Sequence, residues 1–218
     1  MKKEAKFRLF FAVSSLTAFA VWTLLVSIID VKAIGPNGSS VGFAALNAFV
    51  HRITGVNMGL YSISDLFGLV PIFVCISFAI FGLIQWIKRK KIKNVDYSIF
   101  VLGGFYIVTI GVYLLFEYVV INYRPVLIAE VLEVSYPSST TLLTMCVMPT
   151  AAMQLHLRIQ NSAIRRCVIV AILTFTAFMV LGRILSGVHW ITDIIGGGLL
   201  SGGLVMLYHF VTQLKGEL

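Results

Sequence analysis

Apolar residues run along the chain in six long stretches, separated by short polar connections. They cover about residues 9–29, 62–87, 97–120, 137–157, 167–185 and 190–214. Roughly 20 apolar residues carry a helix across the hydrocarbon of a bilayer. The pattern therefore predicts an all-α protein, an integral membrane bundle of six transmembrane helices, as a single domain over residues 1–218. The first stretch follows the basic leader MKKEAKFR. A cleaved signal peptide would have an apolar region of about 7–15 residues ending at small residues. This stretch is longer and ends in Ile28-Ile29-Asp30, so a retained helix is expected. The widest polar gap, residues 30–61, holds the turn signal Ile34-Gly35-Pro36-Asn37-Gly38. Within it Val41–Val50 reads as a short helix at headgroup level, covering the functional face or meeting lipid.

Composition agrees with the pattern. The 218 residues are 59% hydrophobic and only 12% charged, whereas a soluble domain is about a quarter charged. That excludes an ordinary soluble domain and a disordered chain. The net charge of +8 would suggest nucleic acid on a soluble protein, but here its distribution decides. Of the 17 Lys and Arg residues, all but Lys32, Arg52, Arg124 and Arg183 fall in the leader, at residues 88–93, at residues 158–166 or at Lys215. The positive-inside rule puts that majority, and with six spans both termini, in the cytoplasm. A multi-pass protein of the plasma membrane follows, with its basic clusters as topology anchors rather than a nucleic-acid surface. Cys75, Cys146 and Cys167 lie in apolar runs and read as packing residues. His51, His156 and His209 stand apart, so neither a metal site nor a cofactor is expected. Gly198 and Gly202 form a small-xxx-small pair that lets a neighbouring helix come close. Trp86 and Trp190 fit interfacial belts.

The sparsely charged outer side carries three constellations, and ionisable groups at membrane depth are costly and usually functional. In Arg183-Ile-Leu-Ser-Gly-Val-His189-Trp-Ile-Thr-Asp193 the imidazole and carboxylate are four residues apart at the start of the sixth span, and so share one helix face. The carboxylate would fix the tautomer and leave the other nitrogen nucleophilic. An arginine fork suits phosphate oxygens. Asn122-Tyr123-Arg124-Pro125 offers a second arginine on a non-helical path. Tyr136-Pro137-Ser138-Ser139-Thr140-Thr141 reads as a helix start whose free N–H groups attract an anion. Taken singly, each also fits a plainer role: arginines snorkelling at the interface, and a capped membrane helix.

Together the three resemble the type 2 phosphatidic acid phosphatase family of integral membrane lipid phosphatases. Its motifs are Lys-x6-Arg-Pro, Pro-Ser-Gly-His and Ser-Arg-x5-His-x3-Asp. The third falls on Gly182-Arg183, His189 and Asp193 with its spacing intact, the second on Pro137-Ser138-Ser139-Thr140, and the first on Arg124-Pro125 with Glu117 in the lysine position. The resemblance implies a phosphohistidine mechanism without metal. His189 would be the nucleophile and Asp193 its orienter. Arg124, Arg183, Ser138 and Ser139 would bind the phosphoryl group, with Thr140 and Glu117 lining the site. Membrane lipids, and a lipid phosphate as substrate, are the implied partners.

Two departures shape the substrate. Thr140 replaces the histidine that protonates the leaving group, and a hydroxyl is a very poor acid near neutral pH. Glu117 would repel phosphate unless paired with Arg124 or Arg183. A leaving phosphate monoester, with its second ionisation near ~6, needs no added proton. A lipid diphosphate such as undecaprenyl diphosphate, hydrolysed at the outer face, therefore suits the site better than a simple phosphate ester. The alternative is an impaired family member that binds lipid phosphate or a protein partner without turnover. The retained His–Asp pair favours the enzyme. A transporter is disfavoured by the scarcity of intramembrane polar residues and of paired Gly/Pro breaks.

Overall fold

A computed structural model describes residues 2–215. Met1 and residues 216–218, the ends assigned by charge to the cytoplasm, lie outside the described residues. Helices α1 (Lys2–Ile28), α2 (Ala44–Thr54), α3 (Met58–Phe67), α4 (Leu69–Arg89), α5 (Tyr97–Tyr118), α6 (Ser139–Arg158), α7 (Ser162–Ser186) and α8 (Ile191–Gln213) make up the fold. Among the described residues there is no strand longer than an isolated bridge.

The apolar run expected as one span over 62–87 is two helices end to end. Pro71 has no N–H for the Phe67 carbonyl, and its ring crowds that oxygen, so the helix breaks one turn earlier. Gly68 fills the joint and donates to the carbonyls of Ser64 and Asp65 at 3.0 Å each. A Cβ there would stand 2.8 Å from the Asp65 carbonyl oxygen. The basic connector expected over 158–166 is only Ile159–Asn161. The Asn161 side chain accepts from the N–H groups of Ala163 and Ile164 and starts α7 at once.

Five stretches are long and apolar enough to cross a membrane: α1, α3 with α4, α5, α7 and α8. Helix α6, expected as the fourth span, is not among them. It is the interior helix, packed against α4, α5, α7 and α8, and its Thr141, Thr144, Thr150 and Gln154 are buried. Its polar side chains meet protein rather than lipid; Thr150 Oγ1, for instance, donates to the Cys146 carbonyl at 2.8 Å. Outside, Phe10, Phe73, Ile107 and Val170 are largely exposed, as a lipid-facing surface requires. Lipid is as apolar as these side chains, so the helices are held by close contact of small residues and by interior hydrogen bonds.

The α1–α8 contact shows this best. A Cβ on Gly203 would stand 2.7 Å from Leu16, and one on Gly202 would stand 3.4 Å from Ser15 Oγ. Gly198 faces open space, so the contact pair is Gly202 and Gly203 rather than Gly198 and Gly202. About two turns nearer the N-terminus of α8, the Tyr136 ring lies against Gly196, where a Cβ would be 2.7 Å away. Tyr136 stacks on Phe19 with ring centres 6.3 Å apart, and its hydroxyl lies 2.7 Å from Thr23 Oγ1. This wedge sets the start of α6 on the start of α8, where Ser138 N–H donates to the Asp193 carbonyl at 3.1 Å.

The helices alternate in direction, so the basic clusters gather at one end. There Asp96 accepts from Arg89 and Gln85 at 2.7 Å each and lies 3.4 Å from Arg158. Lys215 sits over the Tyr97 ring at 4.4 Å. The residues singled out for chemistry gather at the other end. Helix α2, expected near Val41–Val50, caps that end: Asn47 Nδ2 donates to Thr192 Oγ1 at 3.0 Å, and Asn47 Oδ1 accepts from Thr192 N–H at 3.3 Å.

Candidate active site

Arg183 lies in the last turn of α7, and Gly187 then turns the chain. Its φ of +65° favours glycine, and a Cβ there would be 1.8 Å from the Gly55 carbonyl oxygen. His189 lies in this turn, ahead of α8 rather than on its face, which corrects the helical reading of the His189–Asp193 spacing. The two meet through the helix cap. Trp190 is the N-cap, and Asp193, three residues on, reaches back so that Oδ2 accepts from Trp190 N–H at 3.0 Å. That places Oδ2 3.7 Å from His189 Nδ1. Asp193 Oδ1 accepts from Asn122 Nδ2 at 3.1 Å, so a fully buried carboxylate is held by donors on both oxygens. Trp190, expected in an interfacial belt, is buried instead, and its indole donates to the Tyr123 carbonyl at 2.8 Å.

Arg124 comes from a narrow ribbon between α5 and α6. Its N–H donates to the Glu133 carbonyl at 2.9 Å, and Ser135 N–H donates to the Asn122 carbonyl at 3.0 Å. The Arg124 side chain points inward, and Nη1 lies 3.4 Å from His189 Nε2. A guanidinium only donates, so Nε2 is the bare nitrogen and Nδ1–H faces Asp193. Burial pushes the His189 pKa down to about 4. Asp193 opposes the shift, and the charge of Arg124 reinforces it. The imidazole is therefore neutral at neutral pH, with its lone pair toward Arg124.

Arg183 is 1% exposed. Its Nη2 donates to Asp65 Oδ1 at 2.8 Å and to Thr140 Oγ1. Its Nε and Nη1 are buried and have no hydrogen-bond partner, a state costing about 1–3 kcal/mol per group. Both guanidinium groups lie over one ring, Tyr61, at 5.1 Å for Arg183 and 5.9 Å for Arg124. Two like charges drawn together with unpartnered donors are the arrangement a polyanion would stabilise.

The start of α6 divides its serines. Ser138 is buried and accepts from Thr141 Oγ1 at 3.1 Å, so it serves the helix packing. Ser139 borders two cavities. The first, about 380 Å³, is lined by Arg124, Glu117, Glu133 and Tyr113. The second, about 460 Å³, is lined by Asp65, Thr140, Leu69 and Ile72. The carboxylates paired with the two arginines are Glu133, with Oε2 2.9 Å from Arg124 Nε though off the N–H axis, and Asp65. Glu117, weighed as a partner for either arginine, instead shares the first cavity with Arg124.

Sequence reasoning passed over Asp65, Tyr61 and Glu133, and it set His51 apart. His51 Nε2 lies 3.1 Å from the Gly187 carbonyl oxygen, beside the turn that carries His189. Asp65 did carry a signal, as an acid inside an apolar run.

The model of the PAP2 superfamily matches residues 72–216, from α4 through α8. The chain belongs to the PAP2 superfamily. The resemblance expected from the three motifs is thereby borne out, and the PAP2 match spans Arg124, Arg183, His189 and Asp193. Tyr61 and Asp65, on α3, lie ahead of it. Among solved structures, the crystal structure of the first transmembrane PAP2 type phosphatidylglycerolphosphate phosphatase from Bacillus subtilis is similar in fold. The likeness covers 92% of this chain and 94% of that one, with a TM-score of 0.61 and 20% identity. No curated protein matches the chain. This PAP2 protein is thus a multi-pass membrane protein with a transmembrane PAP2 fold.

Proposed function

We propose that this PAP2 protein is a membrane lipid phosphatase that hydrolyses a lipid diphosphate, of the undecaprenyl diphosphate kind, through a phosphohistidine intermediate. One observation carries the reading: unpartnered, buried N–H groups of Arg183 meet Arg124 over Tyr61, beside a neutral imidazole backed by Asp193. In this reading Arg124, Arg183 and the Ser139 end of α6 hold the phosphoryl oxygens and stabilise charge in the transition state. His189 Nε2 attacks phosphorus as the bond to the leaving oxygen breaks. Asp193 stabilises the positive ring that forms. Water then releases phosphate and frees His189. The leaving group departs as a phosphate monoester, so Thr140 need not supply a proton. Six spans, with the site on the non-cytoplasmic side of the plasma membrane, fit the gathering of basic clusters at the opposite end of the bundle.

The test is purified protein in detergent with a panel of lipid mono- and diphosphates. Diphosphates should release phosphate about tenfold or more faster than monophosphates, since the latter must expel an unassisted alkoxide. Lipid binding with no phosphate from any substrate would instead establish the binding-only reading.

The pH dependence follows from His189. The neutral ring is the nucleophile, and its pKa is about 4 against an ordinary value of about 6.5. The acid limb of kcat/KM should therefore fall near 4, with no ring-titration step near 6.5. In the same window the unfolded chain takes up a proton that the fold refuses, so stability falls as the pH drops from about 6.5 to about 4. An activity loss centred near 6.5 would contradict a buried neutral His189.

A further inference from the structure

Hydrolysis of a phosphohistidine needs a base to take a proton from the attacking water, and Thr140 cannot serve. We propose that Asp65 is that base. The proposal rests on the phosphatase reading above. Asp65 Oδ1 lies 2.8 Å from Arg183 Nη2, the nitrogen that also donates to Thr140 Oγ1. The carboxylate therefore stands beside the residue that replaces the family's acid–base histidine. Asp65, Thr140 and Ser139 line one cavity of about 460 Å³, and the Asp65 side chain is 58% exposed. Asp193, Glu133 and Glu117 do not border this cavity. Asp193 is buried with donors on both oxygens, and Glu133 lies against Arg124 in the other cavity with Glu117.

His189 adjoins Arg124 and Asp65 adjoins Arg183, so a phosphoryl group gripped by both arginines would lie beside the imidazole and beside the carboxylate. The break at Gly68 ends α3 just past Asp65, and Gly182 on α7 faces α3, where a Cβ would make ordinary contact with Ser64 Cβ at 3.6 Å. In the step itself, the water oxygen bonds to phosphorus, the P–Nε2 bond breaks and its electron pair returns to the His189 ring. One water proton passes to Asp65, the other stays on the released phosphate, and Asp65 then loses its proton to solvent.

The experiment uses the full chain with a radiolabelled lipid diphosphate under rapid quench. Asp65→Asn keeps a group that can accept from Arg183 but cannot take a proton. Turnover should fall about 100-fold, while the first-turnover release of lipid monophosphate stays at the wild-type rate and acid-labile phosphoprotein accumulates. Added formate should restore part of the turnover, and Asp65→Glu should retain most of it. Near-normal turnover in Asp65→Asn would overturn the proposal. So would an equal loss of first turnover and steady state without phosphoprotein, which would make Asp65 only a positioning residue for Arg183. A wild-type protein with no turnover would instead defeat the phosphatase reading itself.

Discussion

His189→Ala is expected to abolish phosphate release from lipid diphosphates, with a loss of at least about 10⁴-fold in kcat. Removing a nucleophile removes the covalent route altogether, and loss of one member of such a unit costs nearly as much as loss of all. Stability should change little. Nδ1 stands 3.7 Å from its carboxylate and makes no hydrogen bond, so the alanine forfeits packing more than bonding. Retained lipid binding with vanished turnover would separate chemistry from recognition. Residual activity within tenfold of wild type would mean that another group accepts the phosphoryl.

Arg183→Lys should cost the next most, about 10²- to 10³-fold in kcat/KM. A planar fork places Nη2 on Asp65 and Thr140 while Nε and Nη1 have no partner, and in the proposed reaction these two hold the phosphoryl oxygens. An ammonium is one compact charge and cannot do both. Losing two donors aimed at developing charge accounts for the size of the effect. Most of the loss should fall on kcat, because the charge that binds the ground state survives. Activity within tenfold of wild type would show that the unpartnered N–H groups do not touch substrate.

The legible part of this molecule was its local part. Arg183, His189 and Asp193 lie within eleven consecutive residues, and their spacing survives any error about the helix start. That error occurred: the pair meets through a cap at Trp190, which spacing on a helical face cannot anticipate. Arg124 was legible because Pro125 denies it a helix. What distant chain brings in was not legible. Tyr61 and Asp65 come from α3, and Asn47 and His51 from α2, all more than a hundred residues from the turn they support. Helix α6 shows the converse. Its apolar run reads as a span, but its buried threonines and Gln154 report a protein environment, because the bundle encloses it. Gly202 signalled close approach, but its expected partner Gly198 faces open space, and the tight contacts at Gly196 and Gly203 depend on side chains across the gap, Tyr136 and Leu16.

In the proposed reaction the imidazole of His189 takes the phosphoryl group while two arginines hold it. Mass spectrometry of the protein quenched at alkaline pH during turnover of a lipid diphosphate reads this step itself. Phosphate is expected on His189, stable to base and lost in acid, and absent from His189→Ala. Turnover with an unmodified His189, or with phosphate on any other side chain, would contradict it.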